Sequence, residues 1–146
     1  MSKINGIYAA SVSILDENLK LDINKTIRHI ENLIKSGCHG VVIFGSTGQS
    51  QLISLEEKFE LIQNISKSIF KDKFIIGTGL NSLQDNISLI KISNSYNFNN
   101  FLIMPPAYYM YEDKDVIRFY SKLIEKLSNC KIILYNFEKL SGYKFS

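Results

Sequence analysis

The stretch VVIFGSTGQS, Val41 to Ser50, decides how this chain reads. Four apolar residues, Val41 to Phe44, run without alternation into Gly45-Ser46-Thr47-Gly48, and then the chain turns polar. Consecutive apolar residues suit a strand covered on both faces, as in a parallel sheet. Two glycines and two hydroxyls close it with a loop. A phosphate-cradling P-loop needs GxxxxGK followed by Ser or Thr, but Gly45 and Gly48 are three apart and no lysine follows. A dinucleotide fingerprint needs GxGxxG opening straight into a helix, but the next helix signal waits until Ser54. Two readings remain. Hydroxyls and turn amides suit a small planar anion such as a carboxylate, and the same residues can satisfy their own backbone in a tight turn.

Outward from this stretch the same alternation repeats. GIYAASVSI is a strand candidate, and Asp22 then starts a helix with Ile23, Ile27, Ile30 and Ile34 on one face. Gly37 follows its last turn, where a left-handed cap belongs. Ser54 and Glu57 fit a capping box for a second helix with the stripe Leu55, Phe59, Ile62, Ile65 and Ile69. FIIG (Phe74 to Gly77) is a third strand. Ser82 to Asp85 caps a third helix carrying Leu83, Ile87 and Ile90. FLIM (Phe101 to Met104) is a fourth strand, stopped by Pro105-Pro106. A fourth helix starts near Asp113 or Asp115 with Val116, Tyr120, Leu123 and Leu127 inward, and KIILY (Lys131 to Tyr135) is a fifth strand. The strands end near Phe44, Ile76, Met104 and Tyr135, roughly thirty residues apart, which is one strand-helix unit each. That spacing implies parallel strands with right-handed crossovers, an α/β fold of about five strands and four helices. A doubly wound five-stranded sheet would be complete at this length. A (β/α)8 barrel needs about 250 residues, so this would be its first half or slightly more. Periodicity does not choose between them.

With 146 residues the chain is long enough for one domain with a sizeable core. Seventeen basic and fourteen acidic residues leave +3, and the charges are scattered, so charge gives no argument for a nucleic-acid or membrane partner. No apolar run approaches the ~20 residues of a membrane span. MSKINGIYAA lacks the apolar core and cleavage site of a signal peptide, so a cytoplasmic protein is expected. Cys38 and Cys130 are far apart without CxxC spacing and read as buried, reduced thiols. Together with His39 they precede strands two and five, at the N-terminal ends, where structural roles are expected. His29 falls on the polar side of helix one. No metal constellation and no cofactor motif is present.

The polar loops follow the C-terminal ends of strands. GTGLNS (Gly77 to Ser82) reads as a strand-to-helix turn or as a second set of donors. MPPAYYMYED offers Tyr108, Tyr109 and Tyr111, suited to interface packing or to a proton relay. Tyr135-Asn136 ends strand five, where a lone tyrosine is usually core.

Taken in order, these segments resemble the N-terminal half of the dihydrodipicolinate synthase / N-acetylneuraminate lyase family, class I pyruvate-handling (β/α)8-barrel enzymes. The resemblance rests on GIYAASVSILDENLKLD, GSTGQSQLISLEEK, IIGTGLNS, LIMPPAYY and LYNFEKLSG, which follow one another along the whole chain. It selects the barrel over the doubly wound sheet and makes residues 1–146 a partial TIM-barrel domain, truncated after strand five. It implies a Schiff-base lyase or aldolase. A lysine on strand six would condense with pyruvate or another 2-oxo acid, the iminium would act as electron sink, and no further cofactor would be needed. On this resemblance Thr47, with the turn amides around Gly45 and Gly48, binds the carboxylate. Ser46 passes protons, and Tyr135 relays them to the imine and substrate. Tyr108 or Tyr109, with Tyr108 the preferred register, matches a tyrosine that reaches the neighbouring subunit's site, so the full-length form is expected to be a homo-oligomer, a dimer or tetramer.

The pattern also departs from the family. Ser13-Ile14 replaces the first strand's Thr-Pro, and Gln49 replaces a glutamate. Glu138-Lys139-Leu140 stands where synthases have Pro-Ser-Arg, and Leu140 cannot bind a second carboxylate as that arginine does. Aldolases or lyases of 2-oxo-3-deoxy sugar acids are therefore implied at least as strongly as dihydrodipicolinate synthesis. The imine lysine should lie one unit past Tyr135. Lys131 begins strand five at the wrong end, and Lys139 and Lys144 sit on the terminal loop, so the chain alone is expected to be inactive. It reads as part of a full enzyme, or alternatively as a non-catalytic half that assembles with a partner.

Overall fold

Short apolar runs alternating with amphipathic segments build five strands and four long helices in a computed structural model that describes residues 4–145. The elements are β1 (Tyr8–Ala10), α1 (Ile23–Lys35), β2 (Gly40–Ile43), α2 (Leu55–Ile65), β3 (Phe74–Gly77), α3 (Leu83–Ser95), β4 (Asn100–Ile103), α4 (Asp113–Lys126), β5 (Lys131–Leu134) and a one-turn α5 (Glu138–Ser141). Short 3-10 turns, Ser50–Leu52 and Lys71–Lys73, precede α2 and β3.

The strands form one parallel sheet in the order β1-β2-β3-β4-β5. A doubly wound sheet must reverse its winding so that both faces receive helices. Here each strand lies beside its predecessor, and successive right-handed crossovers put every helix on the same face. Consecutive helices accordingly touch: α1 with α2, α2 with α3, α3 with α4. This is the winding of a (β/α)8 barrel, of which five strands are a part.

Side chains alternate between the two faces of the sheet. Val41, Ile43, Ile76, Phe101 and Ile103 are buried on the helix side, each contributing about 1.5–3 kcal/mol of hydrophobic stabilisation. The register aligns Gly77 with Leu102 and Leu102 with Ile133 on the other, inner face.

Local signals set the helix starts. The Asp22 carboxylate accepts from Lys25 N at 2.9 Å. Ser54 and Glu57 form a reciprocal capping box, and Ser82 Oγ accepts from Asp85 N at 3.2 Å. Gly37, at φ 108°, ends the turn after α1. α4 begins at Asp113, behind Glu112, whose amide donates to Asp115 Oδ2.

Several expectations are corrected. β1 keeps only three residues of its longer candidate run. Phe44 has φ 59°, so β2 stops at Ile43. Ile69 lies beyond the end of α2 and is 90% exposed. Ile62 and Ile65 of the expected stripe are buried, with Leu55 and Phe59 partly buried against the core, and Lys58 and Leu61 join them. Cys38 and Cys130 are half-buried rather than buried. Lys139 lies on α5, which Gly142 at φ 70° ends after one turn. No helix among the described residues is long and apolar enough to cross a membrane, and no group of side chains among them could hold a metal ion.

Candidate functional site

The site grows from the end of β2. Phe44 is buried with a left-handed backbone, and its carbonyl lies close against a neighbouring strand residue. That neighbour is Gly77 of β3, where a Cβ would sit 2.4 Å from the Phe44 carbonyl oxygen. The loop then closes on itself. Gly48 N donates to Gly45 O at 3.1 Å, Gln49 N to Ser46 O at 3.0 Å and Ser50 N to Gly45 O at 3.4 Å. The amides of Ser46 and Thr47 stay outside these turn bonds.

Neighbouring loops are then stapled together. Ser13 Oγ donates to Gly48 O at 2.7 Å, joining the segment after β1 to the loop after β2. Ser50 Oγ donates to Thr78 O at 3.0 Å, joining the loops after β2 and β3. Gly79, at φ 56°, makes room for it, since a Cβ there would lie 2.3 Å from Ser50 Oγ. Ala107 N donates to Asn81 Oδ1 at 2.9 Å, joining the loops after β3 and β4.

One contact spans the whole assembly. Ser46 Oγ and Tyr135 Oη are 2.8 Å apart. In a flat sheet β2 and β5 would be about 14 Å apart, three spacings of about 4.8 Å. The hydroxyls meet because the sheet curls and Tyr135, one residue past β5 and half-buried, points to the concave side. Beside this pair lies a cavity of about 340 Å³, with Phe44, Gly45, Ser46, Gln49, Gln51, Leu102, Met104, Tyr135 and Leu140 among its lining residues. No lysine is on this wall among the described residues.

The residues singled out from sequence are thus distributed unevenly. Ser46 and Tyr135 come together, and Gly45 lines the same cavity. Thr47 is exposed on the turn itself. Gly48 is buried off the wall, with its carbonyl committed to Ser13. Tyr108 is not brought to Ser46 or Tyr135. It is 88% exposed with φ 85°, edge-on to Tyr109 at 4.9 Å. His39, at the opposite end of the strands, accepts from Ile7 N at 3.0 Å through Nδ1.

Sequence reasoning missed Lys58. Its side chain is fully buried, with Nζ donating to Ser50 O at 2.8 Å and Thr78 O at 3.1 Å, over the Phe44 ring at 5.7 Å. One amine thus holds both loops that flank Phe44. Desolvation by burial pushes its pKa down from 10.5 to about 8, against the opposing charge of Asp85. The signal was its phase: position 58 precedes Leu61 and Ile62 by three and four residues, on the buried face of α2.

A family model described as the dihydrodipicolinate synthetase family matches residues 3–146. The 4-hydroxy-tetrahydrodipicolinate synthase of Karelsulcia muelleri is 28% identical over 144 residues, 97% of this chain and 48% of that protein. The N-acetylneuraminate lyase of Escherichia coli is 25% identical over 146 residues, 99% of this chain and 49% of the relative. Among solved structures, a variant of the Sulfolobus solfataricus 2-keto-3-deoxygluconate aldolase in complex with pyruvate superposes with a TM-score of 0.86 at 26% identity, covering 96% of this chain and 47% of that one. The chain spans about half the length of the curated relatives it matches.

Proposed function

This chain belongs to the dihydrodipicolinate synthetase family, and we propose on that premise that it forms the 2-oxo-acid-binding part of a Schiff-base lyase or aldolase. The observation that carries the proposal is the 2.8 Å pair of Ser46 and Tyr135, joined across a curled sheet at the mouth of a cavity. Two hydroxyls in line can pass a proton between a substrate oxygen and solvent. The amides of Ser46 and Thr47, with the Thr47 hydroxyl, offer donors for a carboxylate at the same turn. The relative's pyruvate complex supports pyruvate as the acid.

In this reading Thr47 and the turn amides hold the carboxylate. Tyr135 gives and takes the proton at the reacting oxygen, and Ser46 connects it to the turn. Gly45 shapes the wall, while Gly48 acts through the turn it closes. Tyr108, exposed on the loop after β4, serves a neighbouring subunit's site. The lysine that forms the imine belongs to the sixth strand, outside these residues, so the reacting carbon is activated there. Borohydride reduction in the presence of pyruvate tests this. The longest natural form should acquire a covalent lysine adduct, and the 146-residue chain alone should acquire none, Lys58 included. A full-length protein without an adduct would sink the proposal.

A second reading has its own observation. Ile117, Ile124 and Leu134 are 64%, 62% and 52% exposed beside the β5 edge, an apolar surface that a further strand-helix unit would cover. On this reading the chain is a non-catalytic half that works by assembling with a partner. Light scattering should then show an oligomer, and a folded monomer would count against it.

A further inference from the structure

Lys58 is an expensive residue for the place it fills. Its side chain is fully buried, and no ion pair among the described residues includes it. A buried charge without a close partner of opposite sign costs stability that an apolar side chain would not, so its use lies in what it holds. The amine touches both ends of one loop. Nζ lies over the ring of Phe44, where the loop begins, and donates to the carbonyl of Ser50, where it ends. Ser50 closes that loop, its amide donating to Gly45 O, the oxygen that Gly48 N also reaches. Two hydrogen bonds thus lead from the amine to the turn that carries the Ser46 and Thr47 amides. The bond from Nζ to Thr78 O ties the same group to the loop after β3. Asp85 of α3 is the charge that acts on the amine through space. Glu57, beside it on α2, is turned to Leu21 and Ser54, Glu31 of α1 is turned to Ser68 and Lys35, and β2 and β3 carry no charged residue.

We propose that Lys58 is a positioning residue for the 2-oxo acid: held over Phe44 and on Ser50, its ammonium keeps the Ser46–Thr47 turn in the shape that receives the carboxylate. The inference rests on the 2-oxo-acid reading above and deepens it. Lys58 neither touches the acid nor forms the imine. Burial brings its pKa down to about 8, so its charge changes in ordinary buffers. A neutral amine makes weaker hydrogen bonds than an ammonium and loses its cationic contact with the Phe44 ring. The turn is then held less firmly, and the affinity for the carboxylate falls as pH rises through about 8.

Borohydride trapping in the longest natural form, followed against pyruvate concentration, separates the half-saturating concentration from the maximal rate. At about pH 7, Lys58→Met should need on the order of tenfold more pyruvate than wild type, with the maximal rate little changed. By about pH 9.5 the wild type should have weakened toward the variant, so the ratio falls toward one. The imine lysine and Tyr135 are the same in both proteins, so the ratio reads Lys58 alone. A ratio of one at about pH 7 overturns the role of Lys58, and so does a tenfold ratio that persists at about pH 9.5, which would assign the effect to side-chain shape. A wild type without any adduct sinks the 2-oxo-acid reading itself, and the inference with it. A second measurement needs no variant. In the ¹³C-labelled wild-type chain the Ser50 carbonyl should titrate near pH 8, and the Gly45 carbonyl should follow with the same midpoint. Titration at Ser50 with a flat Gly45 would show that the amine does not reach the turn, and would overturn the proposal.

Discussion

Lys58→Met is the sharpest probe of how the site is held. The Lys58 amine is buried, and its protons go to the carbonyls of Ser50 and Thr78. Its folded pKa is about 8, against an ordinary value of 10.5. Between those values the unfolded chain binds more protons at this position than the folded one. Stability therefore rises with pH across that window, and the desolvation cost is present in full below it. About 2.5 pH units at about 1.4 kcal/mol each amount to about 3 kcal/mol. Methionine keeps much of the length and bulk of the side chain and has no proton to lose. Each carbonyl also keeps a second donor, Ser50 Oγ on Thr78 O and Ile53 N on Ser50 O, so the variant should still fold. Urea unfolding of both proteins at about pH 7.5, 9 and 10.5 isolates the effect, because other lysines and the tyrosines titrate alike in each. The stability of wild type relative to Lys58→Met should grow by about 3 kcal/mol over that range. Parallel curves would refute the reasoning, since they would mean that the amine keeps its ordinary pKa in the fold.

Three other changes report on separate parts of the structure. Gly77→Ala puts a Cβ against the backbone of Phe44, 2.4 Å from its oxygen and 2.7 Å from its carbon. Neither atom can swing aside, so a loss of about 3 kcal/mol or more is expected in chemical denaturation. Glu57→Ala removes the acceptor of Leu21 N at 2.8 Å and of Ser54 N at 2.9 Å, for about 1–2 kcal/mol at neutral pH. The hydrogen bond from Leu21 leads in holding the Glu57 carboxyl below its ordinary 4.5. Its contribution is thus present above that value and fades as pH falls through the lower folded one, so acid unfolding curves of variant and wild type should converge. Tyr135→Phe deletes one side of the pair with Ser46. It should change stability by only about 1 kcal/mol while lowering kcat of the longest natural form on the order of 10²–10⁴-fold, measured by melting and by turnover.

What the sequence made legible follows from the range of each interaction. The starts of α1, α2 and α3 could be read because a cap is local: Asp22 serves Lys25, Ser54 serves Glu57 and Ser82 serves Asp85, all three residues on. Strand order is long-range, and the same periodicity served a doubly wound sheet equally well until β1 to β5 were seen side by side. Ser46 and Tyr135 are 89 positions apart, so no local pattern joins them, and only the family resemblance put both in one site. Phe44 and Tyr108 have positive φ, which their residue types do not announce. Lys58 was hidden by its charge. A lysine in an apolar stripe is usually a solvated neighbour, and it took the carbonyls of Ser50 and Thr78, from two different loops, to make its burial tolerable.

The most direct test of a 2-oxo-acid site follows the backbone amides of the isotopically labelled chain by NMR as pyruvate is added. Ser46 and Thr47 should shift first and most, with Tyr135 responding through its hydroxyl contact to Ser46. No shift at that turn would contradict the assignment. So would shifts confined to the opposite end of the strands, beside Lys71 and Asn99 in the polar cleft there.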